Sequence, residues 1–202
     1  MLALAGCQPL DVPAGGTAAP SGDPIDRATA LTQLRELQVG SWHSMAGYSR
    51  DRFPHWITQG NGCDTREVVL RRDGSAVTVG THCKITGGTW LSAYDGKTLS
   101  EADQLDVDHM VPLANAWRTG AASWTDDKRG AFANDLDRPQ LLAVSLGSNR
   151  AKGDQDPAHW KPPNHDYWCV YAQRWIAVKL YWKLIVTSEE KTALGDMLET
   201  CP

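Results

Sequence analysis

The stretch that most restricts this chain runs from Leu105 to Asp154. In it Val107-Asp108-His109-Met110-Val111-Pro112 ends a short apolar run, and Ser148-Asn149-Arg150-Ala151-Lys152-Gly153-Asp154 closes the segment. An imidazole titrates near pH ~6.5, so it can take a proton from water close to neutrality. A carboxylate and an amide oxygen are hard ligands that suit Mg²⁺ or a similar cation. Leu105, Val107 and Met110 to Leu113 read as one strand and Leu141 to Val144 as a second, while Gly147-Ser148 reads as a turn into a helix that Ser148 caps and that begins near Asn149. Strand, strand and helix would gather Asp108, His109 and Asn149 into a metal-assisted phosphodiesterase site although they lie far apart in the chain.

Asp108-His109, the apolar Gln140-Leu141-Leu142-Ala143-Val144, and Asn149-Arg150-Ala151-Lys152-Gly153-Asp154 together resemble the HNH (ββα-metal) endonuclease motif. Ala133-Asn134-Asp135-Leu136, Asp154 to Pro163, Tyr48 to Trp56 and Cys63-Asp64-Thr65-Arg66-Glu67 extend the likeness to secreted HNH endonuclease-like proteins with a GmrSD-type domain, from about Tyr48 to Cys201. The resemblance implies His109 as general base, and Asp108 and Asn149 as ligands of a divalent metal, Mg²⁺ first with Mn²⁺ or Zn²⁺ as alternatives. Arg150 then meets phosphate or stabilises the transition state, and Lys152 does the same unless it is only a solvated salt-bridge partner. The middle position of the motif departs from the pattern: by spacing it falls on Gln140, with Asn134 as a supporting residue, and either amide could pin the loop that carries His109.

The fold class expected is α+β: a single domain with a ββα-metal motif, a small antiparallel sheet and packing helices, stapled by disulfides. A chain of 202 residues holds one full core. Hydrophobic residues at 42% and charged residues at 22% fit a globular protein. The formal net charge of −4 weighs against broad, nonspecific nucleic-acid binding. Lys128, Arg129, Arg138, Arg150 and Lys152 could still build a local basic rim, which predicts modest, salt-sensitive binding.

Five cysteines divide into one and four. Leu4-Ala5-Gly6-Cys7 resembles a bacterial lipobox, which would make Cys7 a lipidation site, residues 1–7 a signal remnant and residues 8–24, rich in Pro, Gly, Ala, Ser and Thr, a disordered tether. The domain would then occupy residues 25–202. Cys63, Cys83, Cys169 and Cys201 suit two disulfides in an exported chain. Four cysteines allow three pairings, and proximity in sequence favours Cys63 with Cys83 and Cys169 with Cys201.

A packing helix is expected from Ile25 to Leu37. Tyr48 to Asp64 reads as a loop from which Arg50 reaches substrate phosphate, while His55 packs with Phe53 and Trp56. Arg66 suits bidentate phosphate contact and a structural pair with Glu67 or Asp64 equally. Glu67 to Arg72 and Ala76 to Thr81 read as a hairpin about Asp73-Gly74, and Lys84 to Tyr94 as a second strand pair turning at Gly87-Gly88. Helices follow over Ala114 to Arg118, over Thr125 to Asn134 with Thr125 as cap, over His165 to Val186 as a buried element, and over Lys191 to Thr200 behind a capping box at Thr187. The tryptophans read as core.

These readings converge on an exported, metal-dependent HNH endonuclease acting on DNA, with RNA as a second candidate. It would be extracellular or held at the cell surface, touching a bacterial membrane only through a lipid anchor at Cys7, and no protein partner is expected. The alternative from another class is a surface binding module that keeps the HNH fold without catalysis.

Overall fold

The structure, a computed structural model, describes residues 25–202, so the lipidation reading at Cys7 and the tether reading of 8–24 lie outside it. Helix α1 (Arg27–Glu36) starts where the Asp26 side chain accepts from the Thr29 amide, and it buries Ala30 and Leu34. Two short strands, β1 (Thr58–Gly60) and β2 (Cys63–Asp64), pair antiparallel. Where Glu67 to Arg72 reads as a strand, the chain instead forms helix α2 (Thr65–Asp73). The reason is local: the Asp64 carboxylate accepts from the Glu67 amide at 2.9 Å, and this cap outweighs the β preference of Val68-Val69. Gly74 ends the helix beneath the Trp90 indole, where a Cβ would come within 2.5 Å of Nε1.

Strands β3 (Ser75–Val79), β4 (Ile85–Leu91) and β5 (Thr98–Glu101) form an antiparallel sheet in that order. Gly87-Gly88 therefore lies within β4 and not at a turn, and the chain reverses between Ser92 and Lys97. The Trp90 ring again accounts for the glycine, since a Cβ on Gly88 would approach it to 2.7 Å. Strands β6 (Leu105–His109) and β7 (Leu141–Ser145) pair in unbroken antiparallel register from Leu105 opposite Ser145 to His109 opposite Leu141. The first strand thus ends at His109, earlier than the expected Leu113, because Pro112 supplies no amide hydrogen and instead leads into helix α3 (Leu113–Arg118). Helix α4 (Asp126–Ala133) carries the expected Thr125 cap.

Helix α5 (Leu146–Lys152) follows β7 directly. Its cap is Ser145, whose hydroxyl accepts from the Ser148 amide, so the helix begins a turn earlier than Ser148 would set it and Asn149 lies mid-helix. Helices α6 (Trp168–Trp182) and α7 (Ser188–Leu198) close the fold. A fully buried pair, Lys179 with Glu190 at 3.2 Å, joins them, and Trp175 Nε1 donates to the same carboxylate.

The β6–β7 hairpin separates two apolar clusters. Val107, Leu105, Leu141 and Ala143 pack with α2 and Trp90 on one face, while Leu142 and Val144 join the larger helical core with Tyr171, Trp175 and Leu194 on the other. The disulfides pair Cys63 with Cys83 and Cys169 with Cys201, as proximity favours. Closing loops of this size contributes about 3–4 kcal/mol each in the chain-entropy account. Among the described residues no helix is long and apolar enough to cross a membrane. The whole is an α+β domain whose hairpin and following helix place the candidate chemistry.

Candidate active site

A strand alternates its side chains, so Asp106 and Asp108 share one face of β6, opposite Val144 and Leu142 on β7. Helix α5 emerges beside that face and offers Asn149, whose Nδ2 donates to Asp106 Oδ2 at 3.0 Å. That bond fixes the amide. Asp108, His109 and Asn149 all line one open cavity of about 340 Å³, together with Tyr48, Arg50 and Arg150.

Asp108 is held from behind. Lys152 Nζ and the Tyr94 hydroxyl both donate to its Oδ2, at 2.7 and 2.6 Å, and Lys152 also donates to the His109 carbonyl at 2.9 Å. Burial disfavours both charges, raising the Asp108 pKa and lowering that of Lys152, and the ion pair between them opposes this. With Oδ2 doubly occupied, Oδ1 is the carboxylate oxygen left to the cavity. Among the described residues no group of three or more His, Cys, Asp or Glu gathers as a metal cluster. The residues that could hold a cation are Asp108, through its free carboxylate oxygen, and Asn149, through its amide oxygen, two hard donors on one cavity that suit a cation keeping most of its water.

His109 ends β6 and is 4% exposed. Its Nε2 lies 2.9 Å from the Ala133 carbonyl, which only accepts. Nε2 therefore carries the proton and Nδ1 holds the lone pair. The Trp56 indole stacks over the ring at 5.5 Å between centroids. Burial lowers the imidazole pKa to about 3, the Ala133 bond opposing and the charge of Arg50 adding to it. A neutral base is thus present throughout the ordinary pH range.

The sign of the linked stability follows. The unfolded imidazole, with a pKa of about 6.5, takes up its proton before the folded one does. The contribution is complete above that pH and is lost as pH falls toward 3, at up to about 1.4 kcal/mol per pH unit. Urea unfolding at pH 4.5 and pH 7 should show His109→Phe losing less stability on acidification than the wild type, and equal losses would refute the assignment.

Gln140 faces the backbone. Its Oε1 accepts from the Val111 amide at 3.1 Å and its Nε2 donates to the Val111 carbonyl at 2.9 Å, so it ties down the segment just after His109. Asn134 instead binds the Ile57 amide, Thr65 Oγ1 and the Pro54 carbonyl, which ties α4 to the loop bearing Trp56. Arg50 donates from Nε to His55 Nε2 at 3.3 Å, leaving its terminal nitrogens for the cavity. Arg150 is exposed at the rim.

Two residues expected at the substrate are turned elsewhere. Arg66 donates to the Ala102 and Leu105 carbonyls and lies beside Glu67, outside the cavity lining, so it takes the structural reading. Lys152, fully buried on Asp108, has no ammonium to offer a phosphate and is not the solvated alternative either. Arg129 likewise leaves the basic rim, buried against the Arg52, Ala121 and Trp124 carbonyls. Sequence reasoning missed Tyr94, Trp56 and Asp106. Alternation along β6 could have found Asp106, but no local signal marks the other two.

The sequence pattern of the C-terminal domain of GmrSD restriction endonucleases matches residues 75–197. A protein of Arthroderma benhamiae (strain ATCC MYA-4681 / CBS 112371), described as an uncharacterized secreted protein, is 55% identical over 174 residues, covering 86% of this chain and 85% of that protein. No solved structure matches the chain.

Proposed function

The chain belongs to the GmrSD restriction endonuclease C-terminal domain family, and from that premise we propose that it is an exported, metal-dependent endonuclease that hydrolyses phosphodiester bonds in DNA, with RNA as the second substrate. The observation that carries this reading is the single cavity shared by Asp108, His109 and Asn149, with an unprotonated Nδ1 on His109. The secreted description of the relative supports export. A lipid anchor at Cys7 belongs to the same proposal.

In this mechanism Asp108 and Asn149 would hold the divalent cation, Mg²⁺ before Mn²⁺ or Zn²⁺. When bound, the cation neutralises charge building on the phosphoryl and leaving oxygens. Arg50 and Arg150 hold the phosphate from the rim. His109 Nδ1 takes a proton from a water aligned for in-line attack, while Nε2 stays bonded to the Ala133 carbonyl and keeps the tautomer. Lys152 fixes the His109 carbonyl and Gln140 the Val111 backbone that follows, and so both act as positioning residues.

One observation favours the silent binding module: Trp56 covers His109 and leaves it nearly inaccessible. A plasmid-nicking assay separates the two. Supercoiled DNA should be nicked in Mg²⁺ and spared in EDTA. Absence of nicking with Mg²⁺, Mn²⁺ and Zn²⁺ alike, or nicking indifferent to EDTA, would overturn the metal-dependent reading.

A further inference from the structure

We propose that Asp106 sets the affinity of the active site for its cation, by aiming the Asn149 amide oxygen into the cavity and by supplying a carboxylate charge that no basic side chain cancels. The inference rests on the metal-dependent reading above. Asp106 Oδ2 accepts from Asn149 Nδ2 at 3.0 Å. The nitrogen and oxygen of an amide are the two arms of one planar fork, so turning the nitrogen to Asp106 turns Oδ1 away from it. Among the described residues no group bonds that Oδ1. Asn149 lines the cavity and Asp106 does not, so Asp106 is a positioning residue that works through Asn149 and through its field. The outer partner of a metal ligand both orients it and makes it a stronger donor.

The balance of charge gives Asp106 its second contribution. Lys152 Nζ stands 2.7 Å from Asp108 Oδ2, and Arg118 stands 2.7 Å from Asp154 Oδ2. Each of these pairs is close to neutral as seen from the cavity, while Arg50 and Arg150 on the same lining add positive charge. Such a sum repels a divalent cation. Asp106 makes no ion pair among the described residues, although it is partly buried. It also shares a face of β6 with Asp108, two positions on, so the two carboxylates repel each other. A half-buried carboxylate without a counter-ion costs solvation free energy. A cation held by Asp108 and Asn149 offsets that cost and relieves the repulsion, which makes Asp106 the main source of its attraction.

The test titrates the full chain, free of nucleic acid, with Mn²⁺ alone by isothermal titration calorimetry, and records melting with and without the metal. Asp106→Ala is expected to weaken Mn²⁺ binding about 10- to 100-fold, the range for losing the outer partner of a ligand. Asp106→Asn keeps an oxygen for Asn149 Nδ2 but no charge. It should show most of that loss, and whatever it retains over alanine measures the aiming. Added KCl should weaken binding more steeply in the wild type than in Asp106→Asn, because screening acts on the charge. Without metal, Asp106→Asn should melt no lower than the wild type, since it relieves the repulsion with Asp108. A merely structural aspartate would instead lower the melting temperature and leave the shift produced by Mn²⁺ intact, and that result would overturn the inference. So would Mn²⁺ affinity within about twofold of the wild type in both variants. Binding weakened by Asn149→Ala but by neither Asp106 variant removes Asp106 alone, whereas a wild type that binds no Mn²⁺ removes the metal-dependent reading and Asp106 with it.

Discussion

His109→Ala is expected to lower divalent-dependent plasmid nicking by about 10²- to 10⁴-fold, the range a positioned general base supplies. The expectation follows from a tautomer fixed by the Ala133 carbonyl, which leaves the Nδ1 lone pair of His109 free to accept a proton. The nearby imidazole does not replace it: His55 uses both ring nitrogens, one toward the Phe53 carbonyl and one toward Arg50 Nε. Removing the ring also leaves a void beneath Trp56, so lost activity in the alanine variant alone could report a collapsed site. His109→Gln fills more of that space without a comparable base, and it should be equally inactive with far-ultraviolet circular dichroism unchanged. Either variant retaining nicking within tenfold of the wild type would remove His109 from the chemistry.

What could be read from the residues alone depended on whether the controlling interaction was local. The β6–β7 hairpin was legible because Leu105 and Val107, and then Leu141 to Val144, carry their own apolar pattern. Thr125 and Thr187 announce their helices through a cap one residue ahead. Helix α2 was misread because Val68-Val69-Leu70 favours a strand, whereas the Asp64 cap and the Trp90 bond to the Leu70 carbonyl at 2.7 Å decide otherwise. The Gly87-Gly88 turn failed for a similar reason, the glycines making room for an indole instead of reversing the chain. At the site, adjacency in sequence brought Asp108 and His109 to notice. The burial of Lys152 and the arrival of Tyr94 from a distant turn are tertiary facts that no window of residues contains. Proximity favoured the observed disulfide pairing, but only the closed fold selects one pairing among three.

The Asp108–Lys152 pair should prove as important to the fold as His109 is to catalysis. Lys152 is fully buried and the Asp108 side chain is 6% exposed, so solvent screens neither charge. Lys152→Met fills the same volume but leaves the carboxylate with only the Tyr94 hydroxyl and no counter-ion, and breaking a buried pair from one side costs about 3–5 kcal/mol. For a chain of this length the melting temperature should fall by roughly 6–20 °C. Adding Asp108→Asn removes the stranded charge, and the double variant should recover a large part of the loss, because two neutral side chains carry no ionic desolvation. That variant would also lack the carboxylate proposed to hold the cation, so it should be folded and inactive, which separates the pair's structural contribution from its chemical one. A melting temperature lowered by less than about 2 °C in Lys152→Met would mean that the buried charge finds another partner. A double variant no more stable than Lys152→Met would show that packing around Lys152, and not its charge, anchors the hairpin to α5.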